Sequence, residues 1–198
     1  MQLLKSSIFV TAVLIKMIIG LTGANASGKG EAAGYLKLKG FEYYSLSDIL
    51  REEAKARKIE LSRENLIRLG NEVRRKNGPS ILADLVIKKI KNQNNYVIDS
   101  IRNPFEIKVL RKLNDFTLLG IGAPVEMRFK RAVARKRPGD PVTLEEFVEK
   151  ERKENIASST NQQLENCLRL ADILIINDSS LEDFYKKIDE KIAEIQKA

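Results

Sequence analysis

The 198-residue chain contains no histidine and a single cysteine, and these gaps exclude several kinds of chemistry. Without histidine there is no imidazole general base and no histidine–cysteine zinc site. One thiol, Cys167, cannot form an intramolecular disulfide, and on a helical, apolar stretch it reads as a small core residue. No low-complexity run and no internal repeat is present. No ladder of aromatic residues accompanies the basic ones, which argues against a platform for single-stranded nucleic acid. Chemistry in this chain has to run on Lys, Arg, Asp and Ser.

What is present is globular in composition, with 43% apolar and 31% charged residues. The length suits one well-buried domain, expected over residues 17–198, better than two. A net charge of +8 favours a polyanionic ligand: nucleotide phosphates, nucleic acid or an anionic membrane surface. Residues 1–16 form an extension of uncertain status. Lys5 followed by the apolar residues 8–15 resembles a short signal-peptide core, but no small-residue cleavage site follows, and the run is too short to span a bilayer. The expectation is a cytoplasmic protein without stable membrane association. In it the extension is either an added strand or the product of a start assigned ahead of Met17.

The central feature is the loop Gly23-Ala24-Asn25-Ala26-Ser27-Gly28-Lys29. A short, apolar, β-branched run at residues 17–22 reads as a buried strand, and residues 30–39 carry Ala, Leu and Lys at helical spacing. G-x-x-x-x-G-K between a strand and a helix is the Walker A pattern, a phosphate-binding loop. Its glycines let successive backbone N–H groups turn inward toward phosphate oxygens, and the following helix adds partial positive charge. Lys29 is placed to reach the outer phosphates of a nucleotide.

Strand and helix signals then alternate. Residues 41–45 form a second strand, followed by a helix that Ser47 is expected to cap. Ser62 opens another helix, in which Leu66, Leu69 and Val73 recur until Asn77-Gly78-Pro79 breaks it, and residues 81–90 make a third. Residues 95–100 form an apolar strand ending in Asp99. Pro104 begins a helix to residue 113, residues 116–121 form a fourth strand, and Gly122-Ala123-Pro124 leads into a basic helix. Pro138-Gly139-Asp140-Pro141 ends that region. Thr143 with Glu146 is a capping box, and residues 144–170 read as helical with an interruption at Ser158-Ser159. A fifth strand at residues 172–177 and an amphipathic helix at residues 181–195 close the chain. Apolar strands alternating with helices predict an α/β three-layer fold with a five-stranded parallel sheet and helices on both faces. Ligands bind at the carboxyl ends of such strands, so the segments after the strands converge on one site.

The order of motifs over residues 17–193 resembles the adenylate kinase-like nucleoside monophosphate kinases, a branch of the phosphate-binding-loop kinases. Gly28-Lys29-Gly30 is similar to that family's G-K-G, Ser47-Asp48-Ile49-Leu50-Arg51 to G-D-x-L-R, Asp99-Ser100-Ile101-Arg102 to D-G-x-P-R, and Arg131-Ala132-Val133-Ala134-Arg135 to the R-x-x-x-R that opens the lid. The last third is more similar to dephospho-coenzyme A kinase, through Asp172 and Asn177-Asp178-Ser179-Ser180. Gly70-Asn71-Glu72-Val73-Arg74 matches a G-N-x-x-R segment of kinase-like proteins, some of them fused to deoxycytidylate deaminases. Glu31 stands where the family generally has Thr, and Ser47 where it has Gly; no proline precedes Arg102.

The resemblance implies ATP as donor and Mg²⁺ as cofactor. Residues 23–31, from Gly23 through Ala24, Asn25, Ala26, Ser27, Gly28, Lys29 and Gly30 to Glu31, would hold the ATP phosphates. Asp48, Arg51, Arg74 and Arg102 would hold the acceptor within a helical insertion at residues 46–92. A short lid at residues 124–142 would bring Arg128, Arg131 and Arg135, spaced on one helix face, over the transferring group. Asp99 would direct the metal through water, because Gly30 offers no hydroxyl; Ser27 or Glu31 could compensate. Lys29, Asp99, Arg131 and Arg135 form the expected catalytic set. The implied activity is phosphoryl transfer to a nucleoside or deoxynucleoside monophosphate. Dephospho-coenzyme A as acceptor, and a non-catalytic regulatory or RNA-associated nucleotide binder, are the alternatives. Nucleotides are the expected partners and nucleic acid is not.

Overall fold

Ile-Ile-Gly-Leu-Thr-Gly has apolar or small side chains on both faces, and β1 (Ile18–Gly23) is accordingly buried along its whole length. The computed structural model describes residues 16–91, 94–136, 141–155 and 160–197. The expectations on residues 1–15, on Pro138-Gly139-Asp140 and on Ser158-Ser159 lie outside them. Next come α1 (Lys29–Leu38), β2 (Glu42–Ser45), α2 (Leu46–Ala56), α3 (Arg63–Asn77), α4 (Ile81–Ile87), β3 (Tyr96–Asp99) and α5 (Pro104–Leu110). The rest is β4 (Phe116–Gly122), α6 (Val125–Ala134), α7 (Leu144–Glu154), α8 (Leu164–Arg169), β5 (Ile173–Ile176) and α9 (Leu181–Ile195).

The five strands form one parallel sheet in the order β2-β3-β1-β4-β5. Ile19 pairs with Val97 on one side and Thr117 on the other. Chain order thus reverses about β1, and the crevice at its carboxyl end is where ligands bind in such sheets. Two apolar layers sandwich the sheet. On one face Leu46, Leu50, Leu82, Ile98 and Leu110 join α2 to α5 and α8, with Cys167 buried among them. On the other, Leu36 of α1 and Phe184 and Ile188 of α9 cover Ile19, Leu21 and Ile175.

Some boundaries differ from the sequence reading: α4 ends at Ile87 rather than residue 90, and α5 at Leu110 rather than residue 113. Ser45, not Ser47, caps α2: its backbone is extended and its hydroxyl accepts from Ser47 N. The helical span from residue 144 is interrupted, as expected, and comprises α7 and the short α8. Helix α5 carries a capping box that the sequence reading missed. Asn103 accepts from the helix N-terminus while Glu106 reaches back to the Asn103 N–H, the reciprocal arrangement expected of an Asn followed three residues later by Glu.

Candidate functional site

The loop after β1 curls because its sequence permits backbone angles that most residues avoid. Gly28 has φ +107°, and a Cβ there would collide with Asn177 Nδ2. That amide donates to Ser27 O at 3.0 Å, fastening the loop to the end of β5. Lys29 opens α1 and folds its ammonium back, donating to Gly23 O and Ala24 O at 2.8 Å each. Burial lowers its pKa to about 7; Asp99 opposes that shift, and Arg102 and Arg63 reinforce it.

Two cavities meet beside this loop. One, of about 760 Å³, is lined by residues 25–31, Asp99, Arg131, Asn177 and Tyr43. The other, of about 550 Å³, lies between α2, α3 and α4, with walls from Leu46, Leu50, Leu66, Ile67 and Leu82. Asn25, Arg51, Ser100, Arg102 and Arg135 line both, so a largely cationic seam joins them.

Arg102 is at the centre of that seam. Nη1 donates to Gln162 Oε1 at 3.4 Å, and burial together with the Arg63 charge lowers its pKa, as expected of a guanidinium short of counter-charge. Arg51 donates to Asp48 Oδ1 at 2.5 Å on the exposed side of α2; Asp48 lines neither cavity. Asp99 ends β3 in a buried position and accepts from Ser100 N at 2.6 Å. Ser100 itself adopts φ +66° where the family pattern has glycine. Burial pushes the Tyr43 phenol up to about 12, with the Asp99 charge adding to the effect, so it stays a donor. Tyr43 escaped the sequence reading. Its signal is the β2–β3 register, which pairs Ser45 with Asp99 and places Tyr43 two residues earlier on the same strand face.

The arginines of α6, with Arg135 just after it, divide their work. Arg131 donates to Asn177 O and Oδ1 at 3.1–3.3 Å, and Arg135 donates to Asn25 Oδ1 at 3.1 Å, so both lie over the loop. Arg128 does not face either cavity. It pairs with Glu151 at 2.5 Å and donates to Ala123 O at 3.1 Å and to Asn25 O of the loop at 3.3 Å, with its guanidinium over the Phe147 ring. Arg74 lines the second cavity, but its Nε and Nη2 are committed to the buried Glu106 carboxylate. Neither pairing was visible locally, because the partners stand 23 and 32 residues away.

A divalent cation finds a restricted donor set here. Asp99 is the one carboxylate lining the cavity around the loop besides Glu31, Gly30 has no hydroxyl, and among the described residues no cluster of three metal-ligating side chains occurs. Such a set suits Mg²⁺ carried by nucleotide phosphates, which keeps most of its waters and needs one or two protein carboxylates.

A protein-family model described as an AAA domain matches residues 22–149. The chain is 36% identical over 186 residues to a UPF0200 protein of Pyrococcus abyssi (strain GE5 / Orsay), covering 90% of this chain and 97% of that one. Among solved structures it is similar to shikimate kinase from Acinetobacter baumannii in complex with shikimate, at TM-score 0.58 and 15% identity over 91% of this chain and 94% of that one. It is also similar to dephospho-CoA kinase from Campylobacter jejuni, at TM-score 0.52 and 19% identity over 92% and 99%. The fold is that of the P-loop kinases.

Proposed function

The chain belongs to the family of that AAA-domain model and to the UPF0200 proteins, and from that premise we propose that it transfers the γ-phosphoryl group of ATP to a nucleoside or deoxynucleoside monophosphate. The observation that carries this reading is the pair of cavities meeting at Arg51, Arg102 and Arg135. A protein that only bound nucleotide would need the first cavity alone.

Phosphoryl transfer asks a protein for alignment and for cations around the equatorial oxygens more than for covalent participation. The loop amides and Lys29 hold the β- and γ-phosphates, Lys29 leaving its present partners Gly23 O and Ala24 O as phosphate arrives. Arg131 and Arg135 cover the donor from α6, which serves as the lid within residues 124–142. Arg102, with Arg51, holds the acceptor phosphate in line, and α2 to α4 within residues 46–92 enclose its remaining part. Asp99 would hold Mg²⁺ through water, and the ion would supply charge neutralisation when bound with ATP.

The test is ATP consumption with Mg²⁺ across all nucleoside and deoxynucleoside monophosphates and dephospho-coenzyme A, with Lys29→Ala as the blank. Selective stimulation by one monophosphate supports the reading. Stimulation by dephospho-coenzyme A alone replaces the acceptor, and ATP binding without any stimulated consumption removes the kinase assignment.

A further inference from the structure

Arg74 is 2% exposed yet lines the acceptor-side cavity, among Leu46, Leu50 and Leu82. Its Nε and Nη2 donate to Glu106 Oε1 at 3.0 and 2.7 Å. Glu106 is fully buried, and its second oxygen accepts from Arg102 N and Asn103 N at 2.9 and 3.0 Å, so the carboxylate cannot swing. The guanidinium plane is therefore fixed by a group that is itself fixed. Among the described residues nothing accepts from Nη1, whose two hydrogens remain unused. Gly70, one turn earlier on α3, keeps that nitrogen uncovered: a Cβ there would stand 3.2 Å from Nη1 and 3.1 Å from Leu50 Cδ1. Nη1 therefore opens onto the cavity, and a ligand that displaces water from it has to supply an acceptor in its place.

We propose that Arg74, oriented by Glu106, determines acceptor specificity by donating from Nη1 to a carbonyl oxygen. The acceptor is then a 6-keto purine or 4-keto pyrimidine monophosphate in preference to its amino counterpart. This rests on the phosphotransferase reading above. A guanidinium only donates. A keto oxygen accepts from it, and in a purine the neighbouring N7 accepts as well, whereas an amino group sets N–H against N–H. The same carboxylate that orients Arg74 also holds the backbone of Arg102, so the group that reads the acceptor and the group that holds its phosphate share one support.

The experiment compares kcat/KM for IMP against AMP and for UMP against CMP, using the full chain with saturating MgATP. The keto member should be favoured by about tenfold or more in the native protein. Arg74→Lys keeps a cation opposite Glu106 but loses the fixed fork; it should bring the ratio toward one while the KM for ATP holds. Gly70→Ala, which crowds Nη1 without touching the ion pair, should lower the ratio too and serves if the lysine variant does not fold. A purely structural Arg74 would depress both members of each pair alike. A native ratio near one, an unchanged ratio in the variants, or turnover of dephospho-coenzyme A, a 6-amino purine, in place of any monophosphate would overturn the proposal while leaving a kinase. Absence of turnover with every acceptor would remove the phosphotransferase reading and this proposal together.

Discussion

Lys29 makes a quantitative case, because its ammonium is held between two carbonyls in a poorly solvated loop and burial lowers its pKa to about 7. Nucleotide phosphates reverse that situation by surrounding the group with negative charge. With a pKa near 7 before binding and above 10 after it, the protein takes up about 0.9 proton per nucleotide at pH 8 and about 0.1 at pH 6. The sign follows directly. The protonated lysine is the form that binds, so the dissociation constant rises with pH above 7, approaching tenfold per pH unit. The assay is calorimetric titration of ADP at pH 8 in Tris and in HEPES, whose ionisation enthalpies differ. The slope of apparent enthalpy against ionisation enthalpy counts the protons. Lys29→Arg, which stays charged throughout, should reduce the slope to near zero while retaining measurable affinity. The same linkage predicts that the nucleotide-free protein gains stability as pH rises from about 7 toward 10. In that window the unfolded chain binds the proton that the folded loop has released. A native slope below about 0.1 at pH 8, or an equal slope in Lys29→Arg, would refute the reasoning.

Arg102→Ala should raise the acceptor KM and cut kcat/KM by a factor on the order of 10³; the ATP dissociation constant should change by less than about threefold, read by steady-state kinetics and calorimetry. Gly28→Ala places a side chain at φ +107° against Asn177. It should abolish detectable ATP binding while circular dichroism still reports the native helix content. Glu106→Leu leaves the Arg74 charge buried without its partner, so urea unfolding should report a loss of about 3–5 kcal/mol; the double variant Arg74→Met/Glu106→Leu should recover only the charge part of it, because the Arg102 and Asn103 N–H groups still lack their acceptor.

The elements that sequence reading placed well are those whose signals are local. β1, the loop and α1 follow from apolar run, glycine spacing and helical periodicity within about 20 residues of one another. Helix α9 spans the residues its amphipathic pattern marked, with Ser180 accepting from Asp183 N as its cap. The parallel sheet follows from strands that are apolar on both faces. What the sequence did not disclose depends on distant partners. Nothing near Arg74 announces that Glu106 of α5 will take its Nε and Nη2. Nothing near Arg128 points to Glu151, so the three- and four-residue spacing of Arg128, Arg131 and Arg135 suggested three equivalent guanidiniums where the fold pairs one of them with a carboxylate. Ser45 and Ser47 are both plausible caps by residue type. The backbone turn at the end of β2 decides between them.

On the proposed function, the two cavities are the donor and acceptor halves of one site across the Arg51–Arg102–Arg135 seam. The measurement that tests it most directly is binding of a bisubstrate analogue, adenosine joined through a pentaphosphate to the nucleoside of the preferred monophosphate, compared with ATP alone by calorimetry. If the cavities act together, the linked molecule binds about 10²–10⁴-fold more tightly than ATP, and Arg102→Ala removes most of that gain. An affinity no better than that of ATP, insensitive to Arg102→Ala, would contradict the account.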